Sequence, residues 1–211
     1  MADIPRRQRT DISPYLIHFT KAFTKGENDE GAFKRLQKIL DEQKLIAGTR
    51  RIKGKYACVC FSEAPLVSLR DGLVNAEYYS RYSPFGIMVS KQWLFAQGGR
   101  PVIYESDQEY DDLPETHRWR HVLYELRENF FPIDFTWERE WRIKCAHLEF
   151  DETSAKIVVP DSAWAERLAN EHHAEQSYLV AQYGQIFDDM IAEQLREKFK
   201  WTILTLKDRP E

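Results

Sequence analysis

Residues 15–20 read Tyr15-Leu16-Ile17-His18-Phe19-Thr20, and the alternation in this stretch sets the first element of the fold. Successive side chains of a strand point to opposite faces, so Tyr15, Ile17 and Phe19 share one face and Leu16, His18 and Thr20 the other. A histidine and a threonine inside an apolar strand are polar groups that need partners, which singles them out as candidates for chemistry. Upstream, residues 1–14 carry Arg6, Arg7 and Arg9 without apolar periodicity and read as a flexible tail ending near Pro14. Downstream, Phe33, Leu36, Ile39 and Leu40 recur at helical spacing and predict an amphipathic helix over residues 31–44, with Gly48 closing its exit.

Further along, Arg50, Arg51, Lys53 and Lys55 crowd around Gly54 in a basic loop, before Tyr56 to Phe61 resumes strand character. Ser62, Glu63 and Pro65 end that strand, a short helix follows over residues 66–79, and Tyr82-Ser83-Pro84 breaks the chain ahead of a strand from Phe85 to Val89. Pro101 to Tyr104 reads as a strand, and Glu105 to Glu115, rich in acids and without a base, as an exposed loop. Trp119, Val122, Leu123, Leu126 and Phe130 fall at i, i+3, i+4, i+7 and i+11, the stripe of a helix. Phe135 to Ile143 alternates aromatic and charged residues, and Ala155 to Val159 is a β-branched strand closed by Pro160. Asp161 or Ser162 caps a helical segment over residues 162–198, broken near Gly184, and Trp201 to Leu206 is a last strand. Strands in succession, with helices clustered after the second and near the end, predict an α+β fold over a doubly wound α/β one. The chain then reads as a single domain over residues 15–211, with a mixed or antiparallel sheet core and a C-terminal helical segment packed on it.

At about 150 residues per domain, 211 residues make one domain and not two. With 43% hydrophobic residues, including 6 Trp, 10 Tyr and 12 Phe, a sizeable core is available and disorder as the main state is excluded. A net charge of −4 argues against coating nucleic acid through bulk charge, though a local basic groove survives that argument. No run reaches the roughly 18 apolar residues of a membrane span, and the opening MADIPRRQRTD lacks the apolar core of a signal peptide, so the expectation is a cytoplasmic protein without a membrane partner. Three cysteines, Cys58, Cys60 and Cys145, are too few and odd in number for a disulfide framework.

The chemistry is narrowed first by missing motifs. There is no C-x-x-C, H-E-x-x-H or calcium loop, so no metal is expected; Cys58 with Cys60 and the pair His172-His173 would each need a distant further ligand. Phosphate-loop, dinucleotide and G-x-S-x-G signals are absent too. A nucleophilic Cys60 beside His18 is disfavoured because an apolar strand opposes the thiolate. What remains is polar residues set inside apolar strands: His18 and Thr20, Ser62 and Glu63, then Glu138, Glu140 and Arg142. Over Thr136–Arg142 strict alternation would put Glu138, Glu140 and Arg142 on one face and Trp137, Arg139 and Trp141 on the other. Two neighbouring carboxylates on one face need solvent or a cation, and Arg142 can pair with Glu140. An edge strand with a surface ion ladder accounts for the same pattern, although the tryptophans argue for burial. Glu63 is either a third carboxylate in the cleft or a cap on the helix after it.

From residue 15 to about 143 the order resembles the ADP-ribosyltransferase fold: a His18-x-Thr20 strand, the helix with Leu36, Ile39 and Leu40, a basic glycine loop and an aromatic-ended strand. The stretches Tyr15–Thr20, Cys60–Leu66, Tyr82–Ile87, Gly99–Tyr104 and Trp137–Arg142 also resemble a bacterial abortive-infection family of the AbiGi type, linked to phage resistance. The first resemblance implies NAD as substrate, with Glu140 on the ribose and Glu138 orienting the acceptor. It implies that His18 holds the adenosine-side ribose and that Thr20 helps seat nicotinamide. An aromatic such as Phe61, Tyr79 or Tyr82 would stack on the nicotinamide ring. Ser62-Glu63 stands where a Ser-x-Ser motif is usual. The basic loop, Arg51 included, suits a pyrophosphate, and a solvated loop fits it equally.

The expected function is therefore NAD-dependent transfer of ADP-ribose to a macromolecular acceptor, protein or nucleic acid, in anti-phage defence. The alternatives are a non-catalytic nucleotide- or protein-binding module, as a sensor or antitoxin, and a nuclease using His18 with Arg100 and Arg142 around a phosphate. The acidic loop and the basic loop are also available to a protein partner. Residues 162–198 either cover a sheet face or make an oligomer contact through Trp164, Tyr178 and Tyr183.

Overall fold

The computed structural model describes residues 12–20, 28–63, 83–127 and 131–207. Most of the tail expected over residues 1–14, and the helix expected over residues 66–79, lie outside the described residues. The architecture is mixed α+β. Eleven strands run β1 (Tyr15–Phe19), β2 (Lys44–Ile46), β3 (Cys58–Ser62), β4 (Gly86–Ser90), β5 (Arg100–Pro101), β6 (Ile103–Glu105), β7 (His121–Leu123), β8 (Glu140–Lys144), β9 (His147–Glu149), β10 (Ala155–Val159) and β11 (Ile203–Thr205). Among the described residues four α-helices accompany them: α1 (Asn28–Glu42), α2 (Lys91–Ala96), α3 (Ser162–Tyr183) and α4 (Asp189–Gln194). One seven-stranded sheet has the order β11-β10-β4-β1-β3-β8-β5, antiparallel except for β10 with β11; the pairs β2-β9 and β6-β7 stand apart from it.

The main core lies on one face of this sheet. Leu16 of β1, Val59 and Phe61 of β3, Ile87 and Val89 of β4 and Ile157 and Val159 of β10 meet Ala32, Phe33, Leu36 and Leu40 of α1 and Leu168 of α3. Each fully buried Leu or Phe here stabilises the fold by about 1.5–3 kcal/mol. Trp164 joins this core, with ring centroids 5.0 Å from both Phe33 and Phe85, so the α3 tryptophan covers the sheet while Tyr178 is exposed. Asp161 caps α3 by accepting from the Trp164 amide, and Gly184 ends it. Gln43, at φ 49°, turns the chain out of α1 into β2. Gly86 is required where β4 crosses β1, because a Cβ there would lie 2.6 Å from the His18 carbonyl oxygen. No helix among the described residues is long and apolar enough to cross a membrane.

Two expected elements are different. The helical stripe beginning at Trp119 is instead a 3-10 turn, Arg118–Arg120, followed by β7, which pairs in parallel with β6. Trp119 packs with Ile52 and Cys58, Val122 is buried and Leu126 is exposed, so the stripe serves no single face. The strand expected from Thr136 begins only at Glu140. Residues Thr136–Glu138 form a 3-10 turn, and Arg139 takes φ 44°, a left-handed conformation that resets the direction of the chain. Trp137 is consequently exposed, whereas Trp141 is buried in the core. The acidic loop contains a 3-10 turn, Glu109–Asp112, whose Tyr110 is buried. Helix α2, capped by Ser90, carries no marked sequence signal beyond that cap.

Candidate functional site

Strand β1 pairs with β4 through five register positions but with β3 through one, Ile17 opposite Ser62. Beside that single pair lies a cavity of about 680 Å³, lined by the consecutive residues Ile17, His18, Phe19 and Thr20 and by Cys60, Phe61 and Ser62. Consecutive strand residues face opposite sides, so a cavity reached by all of them opens at the strand edges, where β1 and β3 part. Its size falls within the roughly 300–1,000 Å³ of small-molecule and cofactor sites.

His18 spans the gap. Its Nδ1 lies 2.8 Å from the Cys60 carbonyl oxygen, and since a carbonyl only accepts, Nδ1 carries the proton. The ring meets Phe61 edge-on at 5.8 Å, and Phe61 itself is buried in the main core. Thr20 is 1% exposed, and its hydroxyl lies 3.1 Å from the Ala32 carbonyl and 3.3 Å from that of Phe85, tying β1 to α1 and to the start of β4.

On the opposite wall, Glu140 opens β8. The Arg142 Nε donates to its Oε1 at 2.8 Å and Nη2 donates to Oε2 at 3.3 Å, with the Arg142 and Glu140 side chains only 5% and 13% exposed. The Arg142 Nη1 also donates to the carbonyls of Trp119 at 3.1 Å and His121 at 2.8 Å. Burial works against the guanidinium charge, and the Glu140 carboxylate outweighs it, raising the Arg142 pKa. The surface ion ladder is thus corrected to a largely buried ion pair. The Glu140 amide donates to the Tyr104 hydroxyl at 3.0 Å. Burial pushes the Tyr104 phenol up to about 12, against the downward pull of that amide. Burial and then the Glu140 charge push the Cys60 thiol well above its ordinary range, so it stays protonated and Cys60 is no ready nucleophile.

Glu138, though displaced from the strand, is 5% exposed and lines the same cavity, so the turn achieves what alternation was expected to do. Ser62 is buried and donates to the Glu138 carbonyl at 2.8 Å. Glu63 is not in the cavity lining; it pairs with Lys91 at 2.6 Å and accepts from the Trp141 indole at 2.8 Å, and the helix it was expected to cap lies outside the described residues. Tyr79 and Tyr82 lie outside the described residues.

The basic loop reaches the cavity through Arg50, Arg51 and Lys53. Arg51, Gly54 and Lys55 have φ of 67°, 78° and 54°, and buried Ile52 pins the loop against Cys58 and Trp119. The lining also includes charged or titratable residues outside the sites expected from sequence, among them Arg35 on α1, Asp107 and His121. Arg35 shares the face of Ala32, Leu36 and Ile39, and an arginine inside an apolar helical stripe was the signal for it. Arg100 is not a cavity residue; it donates to the carbonyls of Phe95 and Gly99 and stacks on the Phe95 ring, so the arginine pair expected around a nuclease phosphate is not assembled.

Among the described residues no three His, Cys, Asp or Glu side chains converge as a metal site. The site therefore combines the histidines His18 and His121, the carboxylates Asp107, Glu138 and Glu140, and a cationic rim around one cavity. Comparison with models of protein families, with curated proteins and with solved structures finds no match.

Proposed function

We propose that this protein binds NAD in the cavity between β1 and β3, cleaves its nicotinamide–ribose bond, and transfers ADP-ribose to a macromolecular acceptor or to water. The observation that carries the reading is the convergence on one cavity of His18, Glu138, Glu140 and the cations Arg35, Arg50, Arg51 and Lys53. A dinucleotide needs cations for its pyrophosphate and a carboxylate at the ribose that loses nicotinamide. Breaking that bond leaves its electron pair on the nicotinamide nitrogen and positive charge on the ribose. Glu140, accepting a hydrogen bond from the 2′-hydroxyl, would stabilise this charge. An ionised carboxylate offers about four lone-pair sites, so the two Arg142 bonds leave capacity for the ribose. Glu138 would take the proton of the acceptor as it attacks the anomeric carbon. His18, held through Nδ1–H by the Cys60 carbonyl, lines the same cavity and would contact a ribose hydroxyl. The resemblance to the abortive-infection family makes defence against phage the context of this chemistry, in the cytoplasm.

The test is NAD consumption with free nicotinamide quantified by mass spectrometry, for wild type and Glu140→Gln, with and without cellular protein, RNA and DNA. Release by wild type, reduced at least about a hundredfold in a folded Glu140→Gln, is expected. Full activity in that variant overturns the assignment. A second reading, a binding module without turnover, is favoured by one observation: Arg142 already holds Glu140 through two donors. On that reading wild type binds NAD and releases no nicotinamide.

A further inference from the structure

The acidic and basic loops meet each other at the cavity. Lys53 donates through Nζ to the Asp107 carboxylate at 2.7 Å and to the Asp107 carbonyl at 3.0 Å, and lies 4.2 Å from the Tyr110 ring centroid. Both Lys53 and Asp107 line the cavity on the side of Arg50 and Arg51. The Lys53 hydrogen bond holds the Asp107 carboxyl below its ordinary range, so it is an anion at neutral pH. The backbone at Lys53 is fixed, since Ile52 is buried beside it and Gly54 follows in a left-handed turn that admits no Cβ: one would lie 2.6 Å from the Tyr56 ring and 2.7 Å from the Tyr110 hydroxyl.

We propose that Asp107 is a built-in counter-ion of the cavity's phosphate subsite, occupying Lys53 until the pyrophosphate of a ligand displaces it and thereby setting how tightly the site takes anions. The proposal rests on the preceding reading only in assigning a pyrophosphate-bearing ligand to this wall. An anionic ligand reaching Lys53 must break an ion pair and approach a like charge; both oppose binding, and both vanish when Asp107 becomes neutral. The pair is exposed to solvent, with side chains 34% and 61% accessible, so the opposition is modest and falls with salt. The Asp107 carbonyl keeps Lys53 aimed whatever the side chain, which makes Asp107→Asn a change of charge more than of position.

The experiment is calorimetric titration of inorganic pyrophosphate, and separately of NAD, into wild type, Asp107→Asn, Lys53→Met and the double variant, with melting curves as a check on folding. Asp107→Asn is expected to bind pyrophosphate about three- to tenfold tighter at low salt, with the gain shrinking as salt rises. Lys53→Met is expected to bind it more weakly, and in that background Asp107→Asn should recover little. Unchanged or weaker pyrophosphate binding by a folded Asp107→Asn overturns the proposal, as does an undiminished gain without Lys53, or no pyrophosphate binding by any variant. If pyrophosphate behaves as expected and no nicotinamide is ever released, the counter-ion stands and the catalytic reading falls.

Discussion

Arg142 shows what a single charged residue contributes when nearly all of it is out of water. Its donors reach both oxygens of Glu140 and the carbonyls of Trp119 and His121, so the strand that carries Glu140 is bolted to the segment containing β7. Replacing it by methionine strands a buried carboxylate and two carbonyls, and we expect urea unfolding to show a loss of about 3–5 kcal/mol. Thr20→Val removes a buried hydroxyl from between two carbonyls and should cost about 1–3 kcal/mol by the same measurement. At this scale much of the site was legible, because His18, Glu138, Glu140 and Arg142 are polar residues in apolar surroundings that must be paired. Arg35 was not singled out, since a long side chain flanked by Ala32 and Leu36 looks like a helix-surface residue until the cavity beneath it is seen. Asp107 was read only as part of an acidic run, because pairing with Lys53 depends on folding across 54 positions.

Elements were legible where local pattern and tertiary demand agree. Residues 15–20, the α1 stripe, Ala155–Val159 and the Asp161 cap are such cases. The stretch from Trp119 fails because its apolar spacing fits a helix while β6 offers an extended partner and His121 finds its acceptors in the carbonyls of Glu105 and Ser106. The turn at Thr136–Glu138 is invisible to alternation, since it depends on one residue, Arg139, adopting a positive φ. Another turn lends itself to a pH measurement. Ahead of β10, the Asp151 Oδ1 accepts from the amides and hydroxyls of Thr153 and Ser154, holding its carboxyl at about 2, below the ordinary 3.8. A depressed folded pKa means stabilisation that is present above the ordinary value and lost as pH falls through the folded one. Melting curves of wild type and Asp151→Ala should therefore differ at pH 7 and converge as the pH drops from about 4 toward 2. Gly54→Ala, which strains a left-handed turn and presses on Tyr56 and Tyr110, should lower thermal stability and weaken pyrophosphate binding together.

For the molecule as a whole, a ligand seated between β1 and β3 bridges strands that share a single register pair, so its binding should register as global stability. NAD at 100 times its dissociation constant adds about 2.7 kcal/mol, which for a chain of this size raises the melting temperature by about 5–10 °C. The absence of any shift at saturating NAD would remove NAD as the ligand. The α+β class was readable from the order of elements. The partition of the sheet was not, because which strands pair is decided by segments far apart in the chain. Of the neighbours in β11-β10-β4-β1-β3-β8-β5, only β10 and β11 are consecutive strands. Nearly every ladder therefore closes a long loop before it gains a hydrogen bond, which places folding in roughly the millisecond-to-second range of non-local β proteins. During that interval β1, whose Tyr15, Ile17 and Phe19 make one wholly apolar face, waits for β4 to arrive, and this waiting strand is where misassembly with another chain would begin.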